Sequence, residues 1–178
     1  DLRTMRRIFF FDIDNTLLDH RTNAIPRSAL EAIEKLRQAG HCVVVATGRS
    51  YEHAKPFVEQ VQPGYVITLN GARILQDGCE VLTVPLPRGA LVDLFEYLRA
   101  QGHTFGVNRG KVSYLSARVP EATEPLREVG MAIQTNDPFY LHHDVYQGWL
   151  FFDESVDESL FPAILGRYPQ FDLVRWHR

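Results

Sequence analysis

Cysteine is scarce in this sequence, with only Cys42 and Cys79 among 178 residues. Two thiols make no disulfide framework. Cys42 lies inside an apolar run and reads as a small core residue, which fits a reducing cytoplasm. Long runs of Lys or Arg are absent and the net charge is −3, which excludes an extended nucleic-acid surface. No apolar stretch reaches the length of a membrane span. Met5-Arg6-Arg7 before Ile8 has the order of a signal peptide, but the apolar run is too short and ends in charge. Internal repeats and low-complexity tracts are also missing. Met5 reads as the natural start, with Asp1 to Thr4 as added residues. What is present is 45% hydrophobic and 23% charged residues, the balance of a globular protein. The length allows one domain or one and a half. Nothing in the composition bears on oligomeric state.

The stretch from Ile8 to Leu18 organises the chain. Ile8-Phe9-Phe10-Phe11 reads as a short strand buried on both faces. Asp12 and Asp14 follow, one residue apart, and then Asn15 and Thr16. A desolvated carboxylate is costly unless paired or bound to metal. Two carboxylates at the C-terminal edge of a parallel sheet lie where ligands bind, and they suit Mg2+ together with a substrate phosphate. Asp14-Asn15 also reads as ordinary turn chemistry.

Two further strands end in the same way. Pro26 opens a helix at its first turn; Leu30, Ile33 and Leu36 repeat at helical spacing, and Gly40 closes it. Cys42 to Ala46 is a buried strand that ends in Thr47-Gly48-Arg49-Ser50. Ser50 caps a helix from Tyr51 to about Val61, in which Pro56 predicts a kink or a delayed start. Tyr65 to Leu69 is a third apolar strand, ended by Asn70-Gly71-Ala72. The βαβαβ order implies a parallel sheet with right-handed crossovers. Asp12, Thr47 and Asn70 therefore share one sheet edge. Thr47 and Asn70 offer groups that contact phosphate oxygens, Gly48 lets the backbone approach, and Arg49 can fork onto a phosphate. Taken singly, Thr47-Gly48 and Asn70-Gly71 read better as turns; taken together with Asp12 and Asp14, they read as one functional edge.

From Ile74 the style changes. Ile74-Leu75 and Val81-Leu82 flank Asp77-Gly78 as a hairpin, and Pro85 with Pro87 marks a boundary. Pro87 opens a helix carrying Leu91, Leu94, Phe95 and Leu98, closed by Gly102. Strands follow at Thr104 to Val107 and Val112 to Leu115, joined by Asn108-Arg109-Gly110. Pro120 to Gly130 and Asp157 to Leu165 read as helices, and Tyr146 to Phe152 and Phe171 to Trp176 as strands. His142 and His143 sit on an extended segment facing opposite ways, as surface residues. Trp149, Trp176 and Tyr114 read as core. Arg109 and Lys111, at a hairpin turn, read as solvated, with contact to a second anionic group as the alternative.

FDIDNTLL, ATGRS and TLNGA, in this order and spacing, resemble the haloacid dehalogenase-like superfamily, and more narrowly its Cof-type branch of phosphatases. The resemblance covers the whole chain. It implies an α/β fold: the N-terminal half of a Rossmann-like parallel core in residues 1–82, and an α+β cap domain in residues 83–178. It implies Asp12 as nucleophile through an aspartyl-phosphate. Asp14 is the general acid and base, its pKa raised by the neighbouring charge. The family's dehalogenases lack this acid. The resemblance further implies that Thr47 would hold the transferring phosphoryl oxygens, with Gly48, Arg49, Asn70 and Gly71 as substrate-binding neighbours, and that Mg2+ would be held by Asp12, the Asp14 main-chain carbonyl and a further carboxylate. The implied activity is hydrolysis of a small phosphorylated metabolite, a sugar phosphate or similar, in the cytoplasm.

Asn15 stands where the family more often has Gly. A larger departure is that the family's Lys and G-D-x-x-N-D segment, which follow the cap, have no counterpart here; Lys111 is too early to match. The natural protein is expected to continue past Arg178, and residues 1–178 alone to bind Mg2+ poorly and turn over little. Two other readings stand beside phosphatase: a phosphomutase with the same nucleophile, and an inactive binding module if the protein ends at Arg178.

Overall fold

Alternating apolar strands and amphipathic helices build a five-stranded sheet in the first part of the chain. The computed structural model describes residues 5–135 and 138–175. The chain divides into two compact units, Asp1–Val84 and Pro85–Arg178. The first contains β1 (Ile8–Phe11), α1 (Arg27–Gln38), β2 (Cys42–Ala46), α2 (Tyr51–Val61), β3 (Tyr65–Thr68), β4 (Arg73–Gln76) and β5 (Cys79–Thr83). The strands lie in sequence order, β1-β2-β3-β4-β5. The first three pair in parallel. The last two are antiparallel, as hairpins require.

Successive crossovers stepping in one direction with one hand put both helices on one face of the sheet. Phe11, Val43, Val45 and Val66 pack on that face with Ile33 of α1 and Ala54 and Val61 of α2. On the other face Ile8 and Phe10 remain 59% and 61% exposed. The expectation that β1 is buried on both faces is thus wrong for this chain: one strand face packs on helices and the other does not. The residues that stop and start the helices behave as their chemistry suggests. Ser50 accepts from the His53 N–H as the cap of α2. Pro56 lies inside α2 without delaying its start. Pro26 is the residue before α1 rather than its first residue, which spares its missing N–H all the same.

The second unit holds α3 (Arg88–Ala100), β6 (Thr104–Arg109), β7 (Val112–Leu115), α4 (Pro120–Glu128), β8 (Ala132–Thr135), α5 (Phe139–His142), β9 (Gly148–Phe151) and α6 (Glu154–Arg167). Its sheet has the order β8-β7-β6-β9; β6 is antiparallel to β7 and β9, and β7 is parallel to β8. Leu91, Leu94, Phe95 and Leu98 line the buried side of α3 and pack with Phe105, Val107 and Ile164. The strand β8 and the single turn α5 are not legible in the sequence pattern. His142 closes α5 rather than lying on an extended segment, and His143 stacks on Phe139 at 4.3 Å. Phe171 to Arg175 forms no strand; Trp176 lies outside the described residues. No described helix is long and apolar enough to cross a membrane.

Two expectations test these cores. Ile33→Ala removes a side chain that is 2% exposed, at a cost of about 2–5 kcal/mol. Phe10→Ser is expected to stay within about 0.5 kcal/mol, both read by urea unfolding. In the second unit the buried Tyr168 hydroxyl donates to Asp93 at 2.7 Å. Burial, then this carboxylate, pushes its pKa up to about 12 from the ordinary 10. A raised folded pKa gives a contribution that is complete below the unfolded value. The stability advantage of the native chain over Tyr168→Phe should therefore hold up to about pH 10 and vanish as pH rises towards 12.

Candidate active site on the first sheet

Parallel pairing sets β1, β2 and β3 to end at one edge, with Phe11 opposite Val45 and Ala46 opposite Ile67. Asp12 leaves β1 there. Its Oδ1 accepts from the Ile13 N–H at 2.7 Å, and the residue is exposed. A wide turn, Ile13–Leu17, follows. It is closed by the Leu17 N–H on the Asp12 carbonyl at 3.3 Å and the Leu18 N–H on the Ile13 carbonyl at 2.8 Å. Ile13 and Leu17, both buried, anchor the turn in the core. Asp14 is extended in it, and Asn15 adopts φ +59°, a left-handed conformation that Asn accepts more readily than most residues.

Thr47, 5% exposed, begins the loop after β2, its N–H on the Ile67 carbonyl at 2.9 Å. Its Oγ1 accepts from the Arg49 N–H at 3.1 Å. The loop is tied to the end of β3: the Leu69 N–H donates to the Arg49 carbonyl at 3.0 Å, and the Asn70 N–H to the Thr47 carbonyl at 3.4 Å. Asn70 does form a hairpin turn, as its turn chemistry suggests, and that turn also brings it to Gly48. A Cβ on Gly48 would stand 2.9 Å from Asn70 Oδ1, so the close approach needs glycine.

Arg49 reaches across this edge to Asp14. Nε meets Oδ2 at 2.9 Å and Nη2 meets Oδ1 at 2.7 Å, a bidentate fork. The side chains are 31% and 37% exposed. Hydrogen bonding to Arg49 holds Asp14 below the ordinary carboxylate range, against the opposing effect of burial. Hydrogen bonding to Asp14, helped by the charge of Asp12, moves Arg49 up. The expectation of a raised Asp14 pKa is therefore overturned in this state: the cation in contact outweighs the nearby anion. The Arg49 fork expected to face a phosphate is filled by Asp14.

The structure brings Asp12, Asp14, Thr47, Gly48, Arg49 and Asn70 to one sheet edge. Gly71 lies there too, at φ +99° with nothing near a hypothetical Cβ, and makes no described side-chain contact. Sequence reasoning misses Phe57, whose ring lies 5.0 Å from the Arg49 guanidinium carbon. It also misses Leu69, held at φ +52°, for which the residue type carries no signal; that conformation is costly for a side chain of this kind.

As a metal site the edge offers hard oxygen donors. Asp12 Oδ2 accepts no bond from the described residues, whereas both Asp14 carboxylate oxygens are taken by Arg49. No group of three or more His, Cys, Asp or Glu converges among the described residues. One exposed carboxylate and main-chain oxygen fit Mg2+, which retains waters and takes phosphate oxygens.

A family model of haloacid dehalogenase-like hydrolases matches residues 9–165. The chain is 31% identical over 175 residues to YkrA of Bacillus subtilis (strain 168), named provisionally as a phosphatase, covering 96% of this chain and 65% of that protein. It is similar to a solved hypothetical protein of Geobacillus kaustophilus HTA426, with a TM-score of 0.81, 30% identity, and coverage of 97% and 66%. The fold is also shared with the phosphatase BT1666 of Bacteroides thetaiotaomicron, with a TM-score of 0.83, 22% identity, and coverage of 98% and 65%. The chain thus spans just under two thirds of the length of these relatives.

Gly48→Ala should change stability by less than about 0.5 kcal/mol, because the atom it meets ends an exposed, rotatable side chain. It should nonetheless displace the Asn70 amide. The nuclear Overhauser contact between the residue-48 α-proton and the Asn70 amide is expected to disappear.

Proposed function

The chain belongs to the haloacid dehalogenase-like hydrolases, and from that premise we propose that it carries the nucleophile and phosphoryl-binding edge of a Mg2+-dependent phosphatase. The substrate class is a small phosphorylated metabolite, a sugar phosphate or similar, met in the cytoplasm. The observation that carries this reading is the convergence of three parallel strand ends. They deliver an exposed Asp12 carboxylate, the Thr47 hydroxyl and the Gly48–Asn70 approach to one edge. The second unit, from Pro85 on, serves as the substrate-selecting cap domain.

Asp12 Oδ1 is occupied by the Ile13 N–H, so Oδ2 attacks phosphorus. A bond forms from Oδ2 to phosphorus as the bond to the ester oxygen breaks. Asp14 gives its proton to that leaving oxygen. Water then attacks the aspartyl-phosphate, Asp14 takes the water's proton, and phosphate leaves with Asp12 regenerated. Thr47 accepts from the Arg49 N–H, so its own O–H is directed outward to donate to a phosphoryl oxygen. Gly48 and Asn70 line the approach. Asp12 and the Asp14 carbonyl would hold Mg2+, which supplies positive charge to the phosphoryl oxygens when bound. The fork keeps Asp14 ionised, so it acts as an acid only once it has left Arg49 and taken up a proton from solvent.

In the full-length natural protein, Asp12→Asn should lower turnover of p-nitrophenyl phosphate by roughly a thousandfold or more, with the circular dichroism spectrum unchanged. Near-native turnover by this variant would sink the covalent mechanism.

A further inference from the structure

Arg49 is held at both ends of its backbone. Its N–H donates to Thr47 Oγ1 at 3.1 Å and its carbonyl accepts from the Leu69 N–H at 3.0 Å. Its side chain is differently placed. The guanidinium lies over Phe57 at 5.0 Å and forks onto Asp14 through Nε and Nη2. Both groups keep about a third of their exposure, 31% for Arg49 and 37% for Asp14. An ion pair open to water in this way is worth up to about 1 kcal/mol, little enough for a competing anion to break. Phe57 gives the guanidinium a flat surface to turn against without losing its cation–π contact.

The fork also conflicts with the chemistry around it. It engages both oxygens of Asp14 and so holds that carboxylate on Arg49. A phosphoryl group presents the same planar pair of oxygens that a carboxylate does, and the Thr47 hydroxyl and the Asp12 carboxylate share this edge. We propose that Arg49 is an exchange latch: in the resting protein it restrains Asp14, and an arriving phosphoryl group takes the guanidinium and thereby releases Asp14 for its work on the leaving oxygen. This rests on the phosphatase reading and adds to it that occupancy of the phosphoryl site unlocks the acid. Arg49 is then a positioning residue for Asp14 as well as an anion contact. What the latch supplies is an Asp14 that stays out of reach until phosphate is present.

The test follows Arg49 itself rather than turnover. In the full-length natural protein labelled with 15N-arginine, the Arg49 Nε–H resonance is recorded while inorganic phosphate is added in the presence of Mg2+. Phosphate affinity is taken from the Thr47 and Gly48 amides. On saturation the Arg49 Nε–H signal should move from its resting position. Asp14→Asn should tighten phosphate about two- to fivefold, the worth of the exposed pair it removes. In an Arg49→Gln background the same Asp14→Asn change should bring little or no gain, because there is no fork left to free. A bulk-charge effect of Asp14 would instead give equal gains in both backgrounds, and that overturns the latch. Phosphate binding at Thr47 and Gly48 with an unmoved Arg49 Nε–H overturns it too, and leaves the phosphatase reading standing. Absence of phosphate binding at these amides overturns both.

Discussion

Parallel pairing is the constraint from which the rest of the first unit follows. A parallel neighbour needs a crossover long enough to bring the chain back to the same edge, and a helix is the usual solution. Here α1 and α2 supply two such crossovers. Each strand therefore ends where its neighbour ends, and the three loops that follow meet. Short side chains suffice at Asp12 and Thr47, and only Arg49 reaches across. Thr47 is in place because its N–H pairs with the Ile67 carbonyl, and Asp12 because Phe11 lies opposite Val45. A one-residue slip in either pairing would turn each strand's side chains to the other face and separate the loops.

Legibility from sequence divides along that line. The strand ends, the Ser50 cap and the Asp77-Gly78 hairpin are local chemistry, and each is readable from residue type. What the sequence hides is what depends on a partner far along the chain. Arg49 reads as a phosphate fork, yet Asp14, thirty-five positions earlier, fills it. Phe57 reads as one more apolar residue of α2, and its role under the guanidinium appears only once the loop before the helix is placed. The four apolar residues of β1 read as doubly buried because periodicity reports the run and not the side on which helices fall. In the second unit, α5 is a single turn and β8 a four-residue edge strand, both too short to impose a period.

The turn after β3 shows how the backbone absorbs the demand of the site. Leu69, Asn70 and Gly71 all adopt positive φ. Glycine and asparagine tolerate this, whereas leucine resists it. The cost at Leu69 is offset by its burial, at 6% exposure, and by its N–H bond to the Arg49 carbonyl. Beyond the turn, Thr68 pairs with Arg73 across the hairpin. Arg73 binds Glu80 on β5 through Nε at 2.7 Å and approaches Glu52 on α2 at 4.0 Å. The hairpin that carries Asn70 is thus braced from the strand beside it and from the helix that begins just after Arg49. Strain in one loop is held by ordinary polar contacts outside it.

Arginine at position 49 answers several demands that lysine would not. Its planar fork matches both oxygens of a carboxylate or of a phosphoryl group, so one side chain serves either partner in the same geometry. Its guanidinium carbon lies 5.0 Å from the centre of the Phe57 ring while it holds Asp14. Its charge is fixed, and contact with Asp14 moves its pKa further up. A lysine ammonium would meet one oxygen at a time, would carry its hydration tightly, and would be free to deprotonate when desolvated. The geometry at this edge therefore depends less on a positive charge than on a positive plane: the Thr47 hydroxyl and the Leu69 N–H fix the Arg49 backbone, and Asp14 and the Phe57 ring meet the guanidinium.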